Sequence, residues 1–146
     1  TDEFSCAIGA ASLKRLEDTI ARRCAFVHSM TNLINTHLVT CKVADFTEGS
    51  SPYFLRVQLN ISLLNTNKIT FCRALLAEGV ELNPHYRFVI ADWEWAQSYL
   101  SEHRKTQNAT AARDTSFNLY LNENYIGQTA QAILDALLKV EQHFII

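Results

Sequence analysis

A chain of 146 residues, 48% of them hydrophobic, is long enough to enclose one core or one small domain with an extension. Its net charge of −2 provides no broad basic surface, which argues against nucleic acid as a partner. No apolar run reaches about 18 residues, so no helix is expected to cross a membrane.

The first third reads as one amphipathic helix. Phe4, Ile8, Ala11, Leu16, Ile20, Cys24, Val27, Ile34 and Leu38 recur mostly three or four residues apart, which is the helical period. Thr1 or Asp2 is placed to cap its start. A helix over residues 1–38 is longer than a small domain needs, so it is expected to connect to a second domain or subunit. Residues 39–146 then form a small α+β domain.

In that domain Val39, Cys41 and Val43 alternate with Thr40 and Lys42. After a turn at Glu48-Gly49-Ser50-Ser51-Pro52, Tyr53, Leu55, Val57, Leu59 and Ile61 alternate with Arg56, Gln58 and Asn60. The two runs predict an antiparallel hairpin. A helix is expected over about residues 67–78, capped near Asn65 or Thr66 and stopped by Gly79. Asp92 is expected to cap a short helix through Trp93, Trp95 and Tyr99. The polar stretch 101–114 reads as a surface loop or flap. Phe117, Leu119 and Leu121 alternate with Asn118, Tyr120 and Asn122 as a third strand. Ile126, Ala130, Ile133, Leu137, Val140 and Phe144 give a final helix. The order α-β-β-α-α-β-α predicts an antiparallel sheet of about three strands packed with helices on one face.

The four cysteines at 6, 24, 41 and 72 contain no Cys-x-x-Cys pair. Cys6, Cys24 and Cys72 fall in helical patterns and are expected as buried, reduced thiols of a cytoplasmic protein. His28, His37, His85, His103 and His143 show no metal-ligand spacing, and His143 is expected to face a helix C-terminus. No phosphate loop, dinucleotide fingerprint or nucleophile elbow is present. What remains is the segment after Gly79, where Asn83-Pro84-His85-Tyr86-Arg87 offers donors, acceptors and a planar ring on a stiffened loop. That mixture suits a polyhydroxylated ligand, and Asn83, His85 and Tyr86 are the candidate binding residues. The bland alternative is a surface loop whose tyrosine packs on the domain.

Phe4-Ser5-Cys6-Ala7-Ile8-Gly9-Ala10-Ala11-Ser12-Leu13-Lys14-Arg15-Leu16, with Ala21-Arg22-Arg23, is similar to the "AAIG-x-x-QL-x-x-L … RR" helix of the DegT/DnrJ/StrS sugar aminotransferases. Ser12 stands at the usual glutamine. Ser51-Pro52-Tyr53-Phe54 sits where that family enters its first domain strand. Glu78-Gly79-Val80 and His85-Tyr86 resemble its "GI … HY" segment, with Arg87 where a proline often follows. Arg113 to Leu119, Asn122-Glu123 and Lys139-Val140-Glu141 resemble its last strand and helix.

The resemblance implies the C-terminal domain of a fold-type-I aminotransferase. The parent would use pyridoxal phosphate to move an amino group from an amino-acid donor to a nucleotide-linked keto sugar, as a cytoplasmic homodimer. None of Lys14, Lys42, Lys68, Lys105 or Lys139 matches the motif of the Schiff-base lysine, which lies upstream of the "AAIG" helix in that family. No catalytic residue is therefore assigned, and the isolated chain is expected to be inactive and without cofactor. The first residue is Thr1 and the single methionine is Met30, which fits a fragment of a larger enzyme or a chain whose leader has been removed. Two alternatives remain open: part of a related pyridoxal-phosphate sugar dehydratase, or a non-catalytic binding domain of similar fold.

Overall fold

A computed structural model describes residues 2–45, 49–84, 88–100 and 106–146. Two helices lead, α1 (Glu3–Leu13) and α2 (Leu16–His37), followed by β1 (Cys41–Lys42), β2 (Phe54–Leu59) and α3 (Lys68–Ala77). Then come β3 (Leu82–Asn83), the single turn α4 (Glu94–Gln97), α5 (Gln107–Thr115), β4 (Ser116–Tyr120) and α6 (Gly127–Phe144). The strands form one antiparallel sheet in the order β1-β2-β4-β3. The α+β class, the 39–61 hairpin and the strand near Phe117 are as the sequence predicts. The short β3 raises the strand number to four, because Leu82 and Asn83 pair with Leu119 and Asn118.

Strand alternation sets the two faces of the sheet. Leu55 lies opposite Leu119 and Val57 opposite Phe117, and these side chains are buried together with Leu59. Met30 and Ile34 of α2, Phe71 and Leu75 of α3, and Leu137 of α6 are fully buried in the same core. Each such side chain contributes about 1.5–3 kcal/mol through burial. The opposite face carries Phe54, Arg56 and Gln58 of β2 against Tyr120, Asn118 and Ser116 of β4.

Local signals account for several element ends. Asp2 caps α1 by accepting from the Ser5 N–H at 2.8 Å. Asn67, rather than Asn65 or Thr66, caps α3 by accepting from the Thr70 N–H at 3.0 Å. At the far end of α3, Gly79 takes φ +88°. The Val80 N–H then reaches the Leu75 carbonyl at 3.0 Å and the Gly79 N–H the Leu76 carbonyl at 3.1 Å, which is a Schellman closure.

The structure departs from the sequence reading in five further places. The expected single N-terminal helix is two, separated at Lys14 and Arg15, where the Arg15 N–H tightens onto the Ser12 carbonyl at 3.1 Å. No side-chain contact at Lys14 explains the break. Residues 2–18 are all exposed, Cys6 among them, because no described element covers α1. Asp92 does not cap a helix; α4 is capped at Trp93 without a side-chain bond, and Asp92 pairs with Arg113 instead. Residues 107–114 of the expected loop belong to helix α5, which runs on to Thr115, while 101–105 lie outside the described residues. Finally, α5 lies over the second face of the sheet, so helices cover both faces in part and Ser116 through Leu119 are buried throughout.

Candidate functional site

Of the three residues singled out on the polar loop, His85 and Tyr86 lie outside the described residues. Asn83 is described, and it sits on strand β3 rather than in a loop, half-buried. Its register partner is Asn118, whose partner on the other side is Arg56. Residues directly opposite in antiparallel strands carry Cβ atoms about 4.5–5.5 Å apart. Arg56, Asn118 and Asn83 therefore form a polar row across three strands on the face turned away from the core.

Arg56 and Asn118 of that row border a cavity of about 570 Å³ between the sheet, α5 and the segment from Phe88 to Ala91. Ring and aliphatic walls come from Phe54, Phe88, Ile90, Ala109 and Ala112, and Arg56, Arg113 and Asn118 bring polar groups to it. The size lies within the range of small-molecule sites. Phe88 stands edge-on to Trp93 with ring centroids 6.0 Å apart.

The two arginines of this cavity differ in charge balance. The Arg113 guanidinium donates from Nε and Nη2 to the two carboxylate oxygens of Asp114 at 2.8 and 3.3 Å, and from Nη1 to Asp92 at 2.9 Å. The hydrogen bond from Arg113 holds the Asp114 carboxyl below the usual aspartate range. Arg113 thus ties α5 to the turn that carries Asp92, and its charge is compensated. Arg56 is exposed and makes no ion pair with a described residue. Asn118 is only 6% exposed, and no side-chain hydrogen bond joins its amide to a described residue.

Arg56 and Asn118 are not among the residues that the sequence singles out. Both stood at the polar positions of alternating strands, which was the available signal; only the strand pairing shows that they meet.

The lysines have structural tasks. Lys68 is buried and donates to the carbonyls of Arg113 and Ser116 at the end of α5, and burial pushes its ammonium below the usual lysine range. Lys42 donates to the carbonyls of Asn35 and Leu38, each at 3.0 Å, where α2 ends. Lys139 pairs with Glu78 at 2.7 Å. Lys14 lies on exposed chain, and Lys105 is outside the described residues. No described lysine lines any of the described cavities. Burial pushes the thiols of Cys41 and Cys72 up to about 12, which leaves them protonated and unreactive at neutral pH. Among the described residues no group of histidine, cysteine and carboxylate side chains is placed to hold a metal ion, and no helix is long and apolar enough to cross a membrane.

The profile of the DegT/DnrJ/EryC1/StrS aminotransferase family matches residues 1–138. No curated protein matches the chain in sequence. Among solved structures, the fold is similar to that of the aminotransferase TlmJ from Streptoalloteichus hindustanus, with 19% identity, a TM-score of 0.73, and coverage of 93% of this chain and 35% of that one. It is also similar to Helicobacter pylori PseC, an aminotransferase involved in the biosynthesis of pseudoaminic acid, with 16% identity, a TM-score of 0.79 and coverage of 94% and 37%. A third similar structure is E. coli GDP-4-keto-6-deoxy-D-mannose-3-dehydratase with bound hydrated pyridoxal phosphate, with 17% identity, a TM-score of 0.71 and coverage of 90% and 34%. The chain thus spans about a third of the length of these structures. At these identities the likeness concerns the fold.

Proposed function

Because this chain belongs to the DegT/DnrJ/EryC1/StrS aminotransferase family, we propose that it is the C-terminal domain of a pyridoxal-phosphate enzyme that transfers an amino group from an amino-acid donor to a nucleotide-linked keto sugar. The observation that carries this reading is the family match over residues 1–138, nearly the whole chain.

The lysines fit a supporting role. Lys42 and Lys68 hold backbone carbonyls, Lys139 is paired with a carboxylate, and none faces a described cavity. The residues described here do not provide the cofactor's anchor, so no reaction step is assigned to this chain. Its contribution is to binding: Asn83, with His85 and Tyr86 beyond it, supplies contacts on the sugar side. Proximity of lysine, cofactor and substrate is what makes transamination fast, so the isolated chain is inactive. The exposed apolar side chains of α1, Phe4, Ile8 and Leu13, together with Leu16 at the start of α2, face the rest of the parent or a second subunit of a cytoplasmic homodimer.

Borohydride treatment of the native gene product, followed by peptide mapping, tests the proposal. The expected result is a polypeptide longer than this chain with the reduced cofactor on a lysine outside these 146 residues. Label on a lysine of this chain, or a native product of this length that takes up no cofactor, would overturn it. A dehydratase reading shares the fold, as the E. coli neighbour illustrates. In that case the native product carries the cofactor without a lysine adduct.

A further inference from the structure

We propose that the cavity over Arg56 and Asn118 is a binding site for a small organic anion, one carboxylate or phosphate carried on a flat apolar body. This goes beyond the proposed function and needs no cofactor and no activity of a parent enzyme.

Three observations converge on that chemistry. First, Arg56 brings to the cavity a guanidinium that pairs with no carboxylate among the described residues, while its neighbour Arg113 is already satisfied by Asp92 and Asp114. A guanidinium presents paired donors matched to the oxygens of a carboxylate or phosphate. Second, Asn118 is 6% exposed and lines the same cavity with no hydrogen bond from its amide to a described residue. Its amide is open to the cavity, where it can offer a ligand both an N–H donor and a carbonyl acceptor. Third, the remaining walls are apolar, with Phe54 and Phe88 as rings and Ala109 and Ala112 as a smooth helix face. A bare inorganic ion would leave that surface and most of the 570 Å³ unused. The direct register of Arg56 with Asn118 places both polar groups at one spot on the sheet floor, so the anionic end is fixed and the apolar end lies along the walls.

Titration of the 146-residue chain, followed by amide-resolved proton–nitrogen NMR, tests the site. The probes are phenyl phosphate, benzoate, benzyl alcohol and inorganic phosphate. The expected result is saturable shifts centred on Arg56, Ala112 and Asn118 with phenyl phosphate or benzoate, and clearly weaker binding of benzyl alcohol and of inorganic phosphate. A preference for phenyl phosphate marks a phosphoryl ligand, and a preference for benzoate marks a carboxylate. Arg56→Gln, at an exposed position, keeps the spectrum of the folded chain and weakens the preferred probe roughly tenfold or more, as expected for a charge-assisted hydrogen bond. Asn118→Ala weakens it by about fivefold. Equal binding of the neutral alcohol, inorganic phosphate binding as tightly as phenyl phosphate, unchanged affinity in Arg56→Gln, shifts centred elsewhere, or no saturable shift would each overturn the proposal.

Discussion

Glu141 is 5% exposed and accepts hydrogen bonds from three donors about a hundred positions away. The Val39 N–H donates at 3.2 Å, the Thr40 N–H at 2.7 Å, and the Thr40 hydroxyl closes the set. One carboxylate on α6 thereby satisfies the backbone where α2 turns into β1. Glu141→Ala removes the acceptor of two amides and of a buried hydroxyl whose other contact is the Cys41 sulfur at 3.8 Å, and is expected to cost about 3 kcal/mol. Glu141→Gln keeps an acceptor and costs roughly half as much. Urea denaturation checks this, with the midpoint falling in the order wild type, Gln, Ala at constant slope; equal midpoints would show that water replaces the carboxylate. In the sequence Glu141 is one polar residue in an amphipathic helix, and nothing local names its partners. Arg56 and Asn118 are alike in this respect. Their residue types and polar positions were legible, but their adjacency is a matter of strand register.

At the scale of elements, local chemistry decided most of what the sequence predicted well. Gly79 could be read as a helix stop because only the left-handed conformation closes α3 onto Val80, and the structure gives it φ +88°. No heavy atom lies within 4 Å of where a Cβ would stand at Gly79, so Gly79→Ala is penalised through the backbone alone, by about 1 kcal/mol. Gly127, the first residue of α6 and equally open, has no such constraint, and Gly127→Ala is expected to raise stability by about 0.4 kcal/mol. Opposite signs in thermal melts of the two variants would bear this out, and a shared sign would not. Where the expectations failed, a tertiary partner had taken over. Asp92 looked like a cap but serves Arg113. The stretch after Thr106 looked like a loop because it lacks an apolar stripe. It is helical where Lys68 donates to the Arg113 carbonyl in its last turn and to the Ser116 carbonyl just beyond, and Ala112 and Arg113 lie against the sheet.

Across the whole molecule the contrast lies between a closed core and an unsupported leading helix. α1 has no buried residue, while Phe71, Leu75 and Leu137 have no exposure at all. A helix of 11 residues without tertiary packing is marginal in water. Hydrogen exchange is therefore expected to be fast over residues 3–13 and slow over 68–77. Removing residues 1–14 is expected to leave the denaturation midpoint within about 0.5 kcal/mol of the parent chain while reducing any self-association measured by sedimentation. A cooperative loss of stability on removal would place α1 inside the folding unit. The sequence by itself determined the α+β class, the hairpin, the stop at Gly79 and the α6 stripe apart from the exposed Ile126, because period, capping and turn chemistry act within a few residues; the family was legible through the resemblance of its motifs. It did not determine the break at Lys14-Arg15, the second-face helix α5, the fourth strand or the row from Arg56 through Asn118 to Asn83. Those depend on which strands pair, in what register and on which side, and pairing energies between distant segments are settled only when the whole chain packs.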